Sequence, residues 1–178
     1  MSDSGHDRAG CAGQTTGRSE QNILLIGVGN DLRSDDGVGP HIVRKIGEAA
    51  PPEVDLVEAS GEGAALMESW SAYATVYVFD AVSSGGTPGE VVRFDAAREE
   101  IPSRFFNYST HAFSLAEAVE LARALGRLPH SLTVFGVEGQ NFNHGPELSG
   151  AVRQAADRVV DQVVIELKTK RDQSSGDG

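Results

Sequence analysis

Ile23-Leu24-Leu25-Ile26-Gly27-Val28-Gly29-Asn30, continuing as Asp31-Leu32-Arg33-Ser34-Asp35-Asp36-Gly37-Val38-Gly39, is the stretch that decides the fold. Its opening run is apolar without a break and ends on a Gly-Asn turn. A strand with one wet face alternates, so unbroken apolarity marks a strand covered on both faces, and a central parallel strand is expected. Beyond the turn, Ser34 or Asp35 can cap a helix. Its apolar positions Val38, Ile42, Ile46 and Ala49 recur at helical spacing until Pro51-Pro52 stops it.

The same order recurs downstream. Residues 54–57 read as a short strand, 64–70 as a short helix, and 75–79 as a second wholly apolar strand ending at Asp80. Successive β-α units predict a parallel sheet with helices on both faces. The turn cluster at 85–89 leads into 91–94, expected at a sheet edge. A loop then runs to Thr110, and connections of that length inside a compact domain are usually binding segments or lids. Leu115, Ala118, Val119, Ala122 and Leu125 mark a helix, 132–137 a last strand and 148–167 a closing amphipathic helix. The expected organisation is a flexible tail at 1–21, one α/β domain at 22–169, and a flexible tail at 170–178.

With 178 residues the chain suits one domain able to bury its own core. Hydrophobic residues at 39% and charged residues at 23% are ordinary for a soluble globular protein. Twenty-six acidic against 15 basic residues leave a net charge of -11, which repels nucleic acid and anionic membrane surfaces. Neither is expected as a partner. Cys11 is the single cysteine, so no internal disulfide or thiolate metal cluster can form, and a monomer in a reducing cytoplasm is the expectation. No signal peptide is read in the opening residues, and the apolar run at 23–28 is far short of the ~20 residues that span a bilayer.

The turn Gly27-Val28-Gly29-Asn30 invites a dinucleotide site, but Leu32 stands where a third small residue belongs, and Asp35 and Asp36 would oppose a phosphate. A cation suits the same residues. Asp36 follows the first strand and Asp80 ends the third, both at the rim where open α/β sheets bind ligands. Side chains of adjacent helical residues diverge by roughly 100°, so one of Asp35 and Asp36 should face the crevice and the other serve as a cap. The plainer alternative is that both simply favour the positive end of a helix.

Asp80, set against a buried strand, needs a donor or a cation, and a loop amide would serve. His111, in Ser109-Thr110-His111, is expected to open the helix after the long loop; alone, such a histidine is more often structural. Together the two carboxylates and the imidazole make a mixed oxygen and nitrogen set for a divalent ion, with positions left for water or substrate. Glu138 and Gln140, past the last strand, could orient water or substrate backbone, though solvated loop residues are the plainer expectation. His6, His41, His130 and His144 read as structural or solvated, and Met67 with Trp70 as core. No nucleophilic cysteine and no Gly-x-Ser-x-Gly elbow stands out.

The segment 23–39 resembles the signature of hydrogenase maturation endopeptidases. Val78-Phe79-Asp80-Ala81, Ser109-Thr110-His111 and Gly136-Val137-Glu138 follow in the family's order. The resemblance covers about residues 23–167. It implies a three-layer α/β/α sandwich with a mostly parallel twisted sheet of about five strands. It also implies a nickel-dependent endopeptidase removing the C-terminal extension of a [NiFe]-hydrogenase large-subunit precursor, with the nickel carried by that precursor. Asp36, Asp80 and His111 are then the metal ligands and catalytic residues, and Asp35 keeps the capping role. Two departures, Ser60-Gly61-Glu62-Gly63 in place of a Gly-Thr-x-Gly turn and Gly150 in place of a proline, bear on substrate fit. The alternatives are a non-catalytic nickel-sensing checkpoint or chaperone module for the same precursor, and a nucleotide-binding regulator.

Overall fold

A computed structural model describes residues 19–49, 54–102, 105 and 114–174. The apolar opening run becomes β1 (Ser19–Val28), which lies inside a five-stranded sheet of order β2-β1-β3-β5-β4. β2 (Val54–Ala59), β3 (Tyr73–Val82) and β5 (Ser131–Glu138) run parallel to it, and β4 (Val91–Asp95) closes one edge antiparallel to β5. Burial on both faces is what the unbroken apolar runs of β1 and β3 required.

Two apolar layers flank the sheet. Leu24, Ile26, Val76 and Val78 pack with Leu66 and Trp70 of α2 (Gly63–Ser69) and with Val119 and Ala122 of α3 (Leu115–Ala124). On the opposite face Leu25, Tyr77, Phe79 and Phe135 meet Ile42 and Ile46 of α1 (Val38–Gly47) and Val159 and Val163 of α4 (Gly150–Ser174). The result is the expected three-layer α/β/α sandwich, with Trp70 wholly buried and Met67 packed against the same core.

Glycines set how closely α1 approaches the sheet. A Cβ on Gly39 would collide with the backbone of Val28 and Phe79, and one on Gly27 would lie 2.5 Å from the Gly39 carbonyl oxygen. The bare backbones therefore touch, which holds the turn before α1 against the ends of β1 and β3. The nucleotide expectation treated these glycines as a phosphate cradle. Here the space at Gly27 is filled by the helix, and that at Gly29 (φ +137°) by the Asp36 carbonyl.

Several sequence expectations need correction. Neither Ser34 nor Asp35 caps α1: a 3-10 turn over Ser34–Gly37 intervenes, and the N-cap position falls on Gly37 with no side-chain cap bond. β3 does not stop at Asp80 but runs on to Val82, because Asp80, Ala81 and Val82 stay in register with Gly136, Val137 and Glu138. α3 opens at Leu115, where Ser114 and Glu117 form a reciprocal capping box, rather than at His111. α4 continues to Ser174 and β1 starts at Ser19, so both pass the 22–169 boundaries.

Residues 1–18 and 175–178 of the expected tails, with Cys11 and His6, lie outside the described residues, as do 103–104 and 106–113 of the long loop, His111 among them. The described start of that loop is packed: Ala96 and Ile101 are buried, and Phe105 lies 5.4 Å from the Phe94 ring. Among the described residues no helix is long and apolar enough to cross a membrane.

Candidate active site

The chain leaves β1 through α1 on one face of the sheet, whereas α3, which follows β3 and β4, packs on the other. Neighbouring strands whose connections depart to opposite faces open a crevice at their carboxyl ends, the usual ligand position in such sheets. Asp36 and Asp80 come together there. Asp36 sits in the turn after β1 and is oriented by the Asn30 N–H, which donates to its Oδ2 at 3.1 Å. Asp80 shares the parity of Val76, Val78 and Val82, and so leans toward the α3 side.

The electrostatics of the pair follow from that placement. Asp80's carboxyl is pushed well above the usual carboxylate range, first by burial and second by the negative charge of Asp36, against a smaller opposing pull from the Ala81 backbone N–H. Part of the residue still reaches solvent, but its carboxyl is deep enough for burial to dominate. A desolvated acid beside a second carboxylate is a place where a cation lowers the cost of ionisation. The donor chemistry thus fits a divalent metal. Among the described residues no group of three His, Cys, Asp or Glu side chains is poised around one point; two of the three expected ligands are described, and His111 is not.

Asp35, expected as a cap, does something else. It is wholly buried, and its carboxylate accepts three backbone N–H groups from the β5–α4 connection: Gln140 and Asn141 at 2.8 Å on Oδ2, and Ser149 at 2.6 Å on Oδ1. The same connection pairs with the turn through Ser34 N–H to Gly145 O, Asp35 N–H to Asn141 O and Gly145 N–H to Leu32 O. Ser34 adopts φ +50°, the one positive value at a non-glycine among the described residues, while its Oγ accepts from Asn141 Nδ2.

Glu138 is likewise no solvated loop residue. It is 4% exposed, and its carboxylate accepts the N–H groups of Ser84, Gly85 and Gly86 and the Ser84 hydroxyl. It moulds the turn beyond β3 and is committed to it, which leaves no free acceptor for orienting water. Gln140 is exposed, and its backbone rather than its side chain is engaged. The sequence signal for Glu138 was available: Ser84-Gly85-Gly86 offers successive unobstructed amides, and an acid at the end of the adjoining strand is their natural acceptor.

On the β2 side, Arg44 of α1 bridges Asp31 and Glu58, and hydrogen bonds to both carboxylates hold its guanidinium above its usual range. Both partners lie at a cavity of about 330 Å³ that also takes in Asn30 and Ser60, so the departing 60–63 turn begins at the rim of that cavity. His130 and His144 are exposed, and His41 is partly buried on α1, in keeping with structural or solvated roles.

A doubly wound α/β domain with two acids at its switch point is a class shared with known proteins. The family model for HycI, described as hydrogenase maturation protease, matches residues 40–166. HupD of Rhodobacter capsulatus, a hydrogenase expression/formation protein, is 28% identical over 154 residues, covering 83% of this chain and 72% of that protein. The hydrogenase 2 maturation protease of Escherichia coli K12 is 28% identical over 150 residues, covering 82% and 90%. Among solved structures, the hydrogenase maturating endopeptidase HybD from E. coli superposes with TM-score 0.71 at 26% identity, covering 84% of this chain and 93% of that one. A hydrogenase 2 maturation peptidase from a Thaumarchaeota archaeon gives TM-score 0.61 at 28% identity, covering 82% and 97%. This chain belongs to the hydrogenase maturation protease family.

Proposed function

We propose that the protein is a nickel-dependent endopeptidase that removes the C-terminal extension of a [NiFe]-hydrogenase large-subunit precursor, working as a monomer in the cytoplasm. The observation that carries this is the meeting of Asp36 and Asp80 at the switch point, where burial and the nearby charge of Asp36 hold the Asp80 carboxyl well above its usual range. Endopeptidase activity on a hydrogenase precursor follows from the family, and the proposal adds to it nickel and the ligand roles of Asp36, Asp80 and His111. In sequence His111 precedes the Ser114 N-cap by three residues, and α3 packs on the face toward which Asp80 leans.

Nickel is treated as part of the substrate, already inserted in the precursor. When bound, the ion polarises the scissile carbonyl or activates a water. The protein's share is positional: Asp36 and Asp80 contribute oxygens and His111 a nitrogen, so that recognising the metal brings the adjoining peptide to the rim. Water then adds across the C–N bond, giving a carboxylate on the mature subunit and a free amine on the released peptide. Mixing the purified protein with nickel-loaded precursor and weighing the products by mass spectrometry tests this. Loss of a C-terminal peptide with nickel-loaded but not nickel-free precursor is expected, and alanine at Asp36, Asp80 or His111 should abolish it. Unchanged precursor mass in a stable complex would instead favour a non-catalytic nickel sensor.

A further inference from the structure

We infer that Asp35 is a positioning residue: its buried carboxylate staples the β5–α4 connection onto the turn that carries Asp36, and thereby sets where Asp36 lies. This rests on Asp36 being a ligand, as proposed above. Two adjacent acids divide the work because their side chains diverge, one toward β3 and the other toward residues 140–149. The three N–H groups that converge on Asp35 come from both ends of that connection, Gln140 and Asn141 just after β5 and Ser149 just before α4. One carboxylate therefore closes the loop around the turn. Three further backbone bonds, two of which make up the Arg33–Gly145 bridge, extend the seam along Leu32, Ser34 and Asp35.

Ser34 shows that the seam is needed. A non-glycine residue at φ +50° persists where surrounding contacts over-determine it, and here they are its N–H to Gly145 O and its Oγ from Asn141. Released from the staple, Ser34 can return to an ordinary backbone conformation and swing Asp36, two residues on, away from Asn30 and Asp80. A carboxylate suits the position better than an amide, since all three incoming groups are donors and an asparagine would turn its own NH₂ against at least one of them.

The test uses Asp35→Asn in the full chain, with Val159→Ala, a buried site in α4, as a control for general destabilisation. Amide exchange is followed by NMR, and processing of nickel-loaded precursor by kcat and KM. Expected for Asp35→Asn is exchange at least tenfold faster at Asn30, whose N–H is held by Asp36, with Val76 and Val78 of β3 within twofold of wild type and kcat down at least tenfold. Val159→Ala should leave Asn30 and kcat near wild type. An Asn30 amide as protected as in wild type, or processing within twofold of it, overturns the inference. Should Asp35→Asn not fold, Ser149→Pro withdraws one of the three N–H groups on Asp35, with Ser149→Ala as the control for the lost hydroxyl, and both are judged by the same readouts. Asp36→Ala separates the two failures: normal processing by that variant sinks the ligand assignment, whereas an inactive Asp36→Ala beside a normal Asp35→Asn sinks the staple alone.

Discussion

Replacing Gly39 by alanine should loosen the contact that seats α1 on the sheet. The added methyl would lie 2.6 Å from Val28 N and closer still to the carbonyl oxygens of Val28 and Phe79. All are backbone atoms of interior strands, so no side-chain rotation can make room and the helix must move outward. Overpacking of this kind costs about 1–3 kcal/mol, and backbone obstruction argues for about 3. Alanine's better helix propensity returns about 1 kcal/mol, leaving a net loss of about 2. At about 2–4 °C per kcal/mol for a domain of this size, the melting temperature should fall by about 4–8 °C in a circular-dichroism melt. Precursor processing should fall too, because the Asp36 turn rides on the same helix. Gly150→Ala serves as the comparison: a Cβ there meets nothing within 4 Å, so stability should hold or rise slightly. A Gly39→Ala protein melting within 1 °C of wild type would refute the close-approach argument.

Two further outcomes follow from buried polar groups. Burial first, then the charge of Lys45, with smaller effects from Arg153 and Arg44, holds His41 below the usual histidine range against the opposing pull of Asp157. Its neutral form is the one the fold favours, so its contribution to stability is present above the unfolded value of ~6.5 and is lost as pH falls through the lower folded value. Urea unfolding between pH 7 and 5 should show a shallower loss in His41→Gln than in wild type, and identical slopes would contradict the burial argument. Glu138→Gln leaves a single side-chain oxygen facing donors from Ser84, Gly85 and Gly86, and should cost about 1–3 kcal/mol in the same assay. A midpoint unmoved by that change would mean the 84–86 turn holds its shape without the carboxylate.

Much of the fold was legible because it is written in short-range pattern. The continuous apolarity of β1 and β3 announced burial on both faces, the turn cluster before Val91 announced a new strand at an edge, and helical spacing located α1, α3 and the start of α4 to within a few residues. Boundaries slipped where partners decide them. β3 outlasts Asp80 because β5 continues to pair with it, and α1 starts late because a 3-10 turn takes its first residues. The acids of the site were visible too, since charged residues at the ends of apolar strands stand out against their surroundings.

What the sequence by itself determined, then, is the strand-helix order, the interior position of β1 and the candidacy of Asp36 and Asp80. Tertiary structure alone decided that Asp36 lies close enough to Asp80 to raise its proton affinity, and that Asp35 and Glu138 are spent on loop amides rather than on a cap or on solvent. The reason is range. Periodicity and capping act between residues a few positions apart, whereas the acceptor of a buried amide is chosen by whatever the packed chain brings within 3 Å, and for Asp35 that came from more than a hundred residues away.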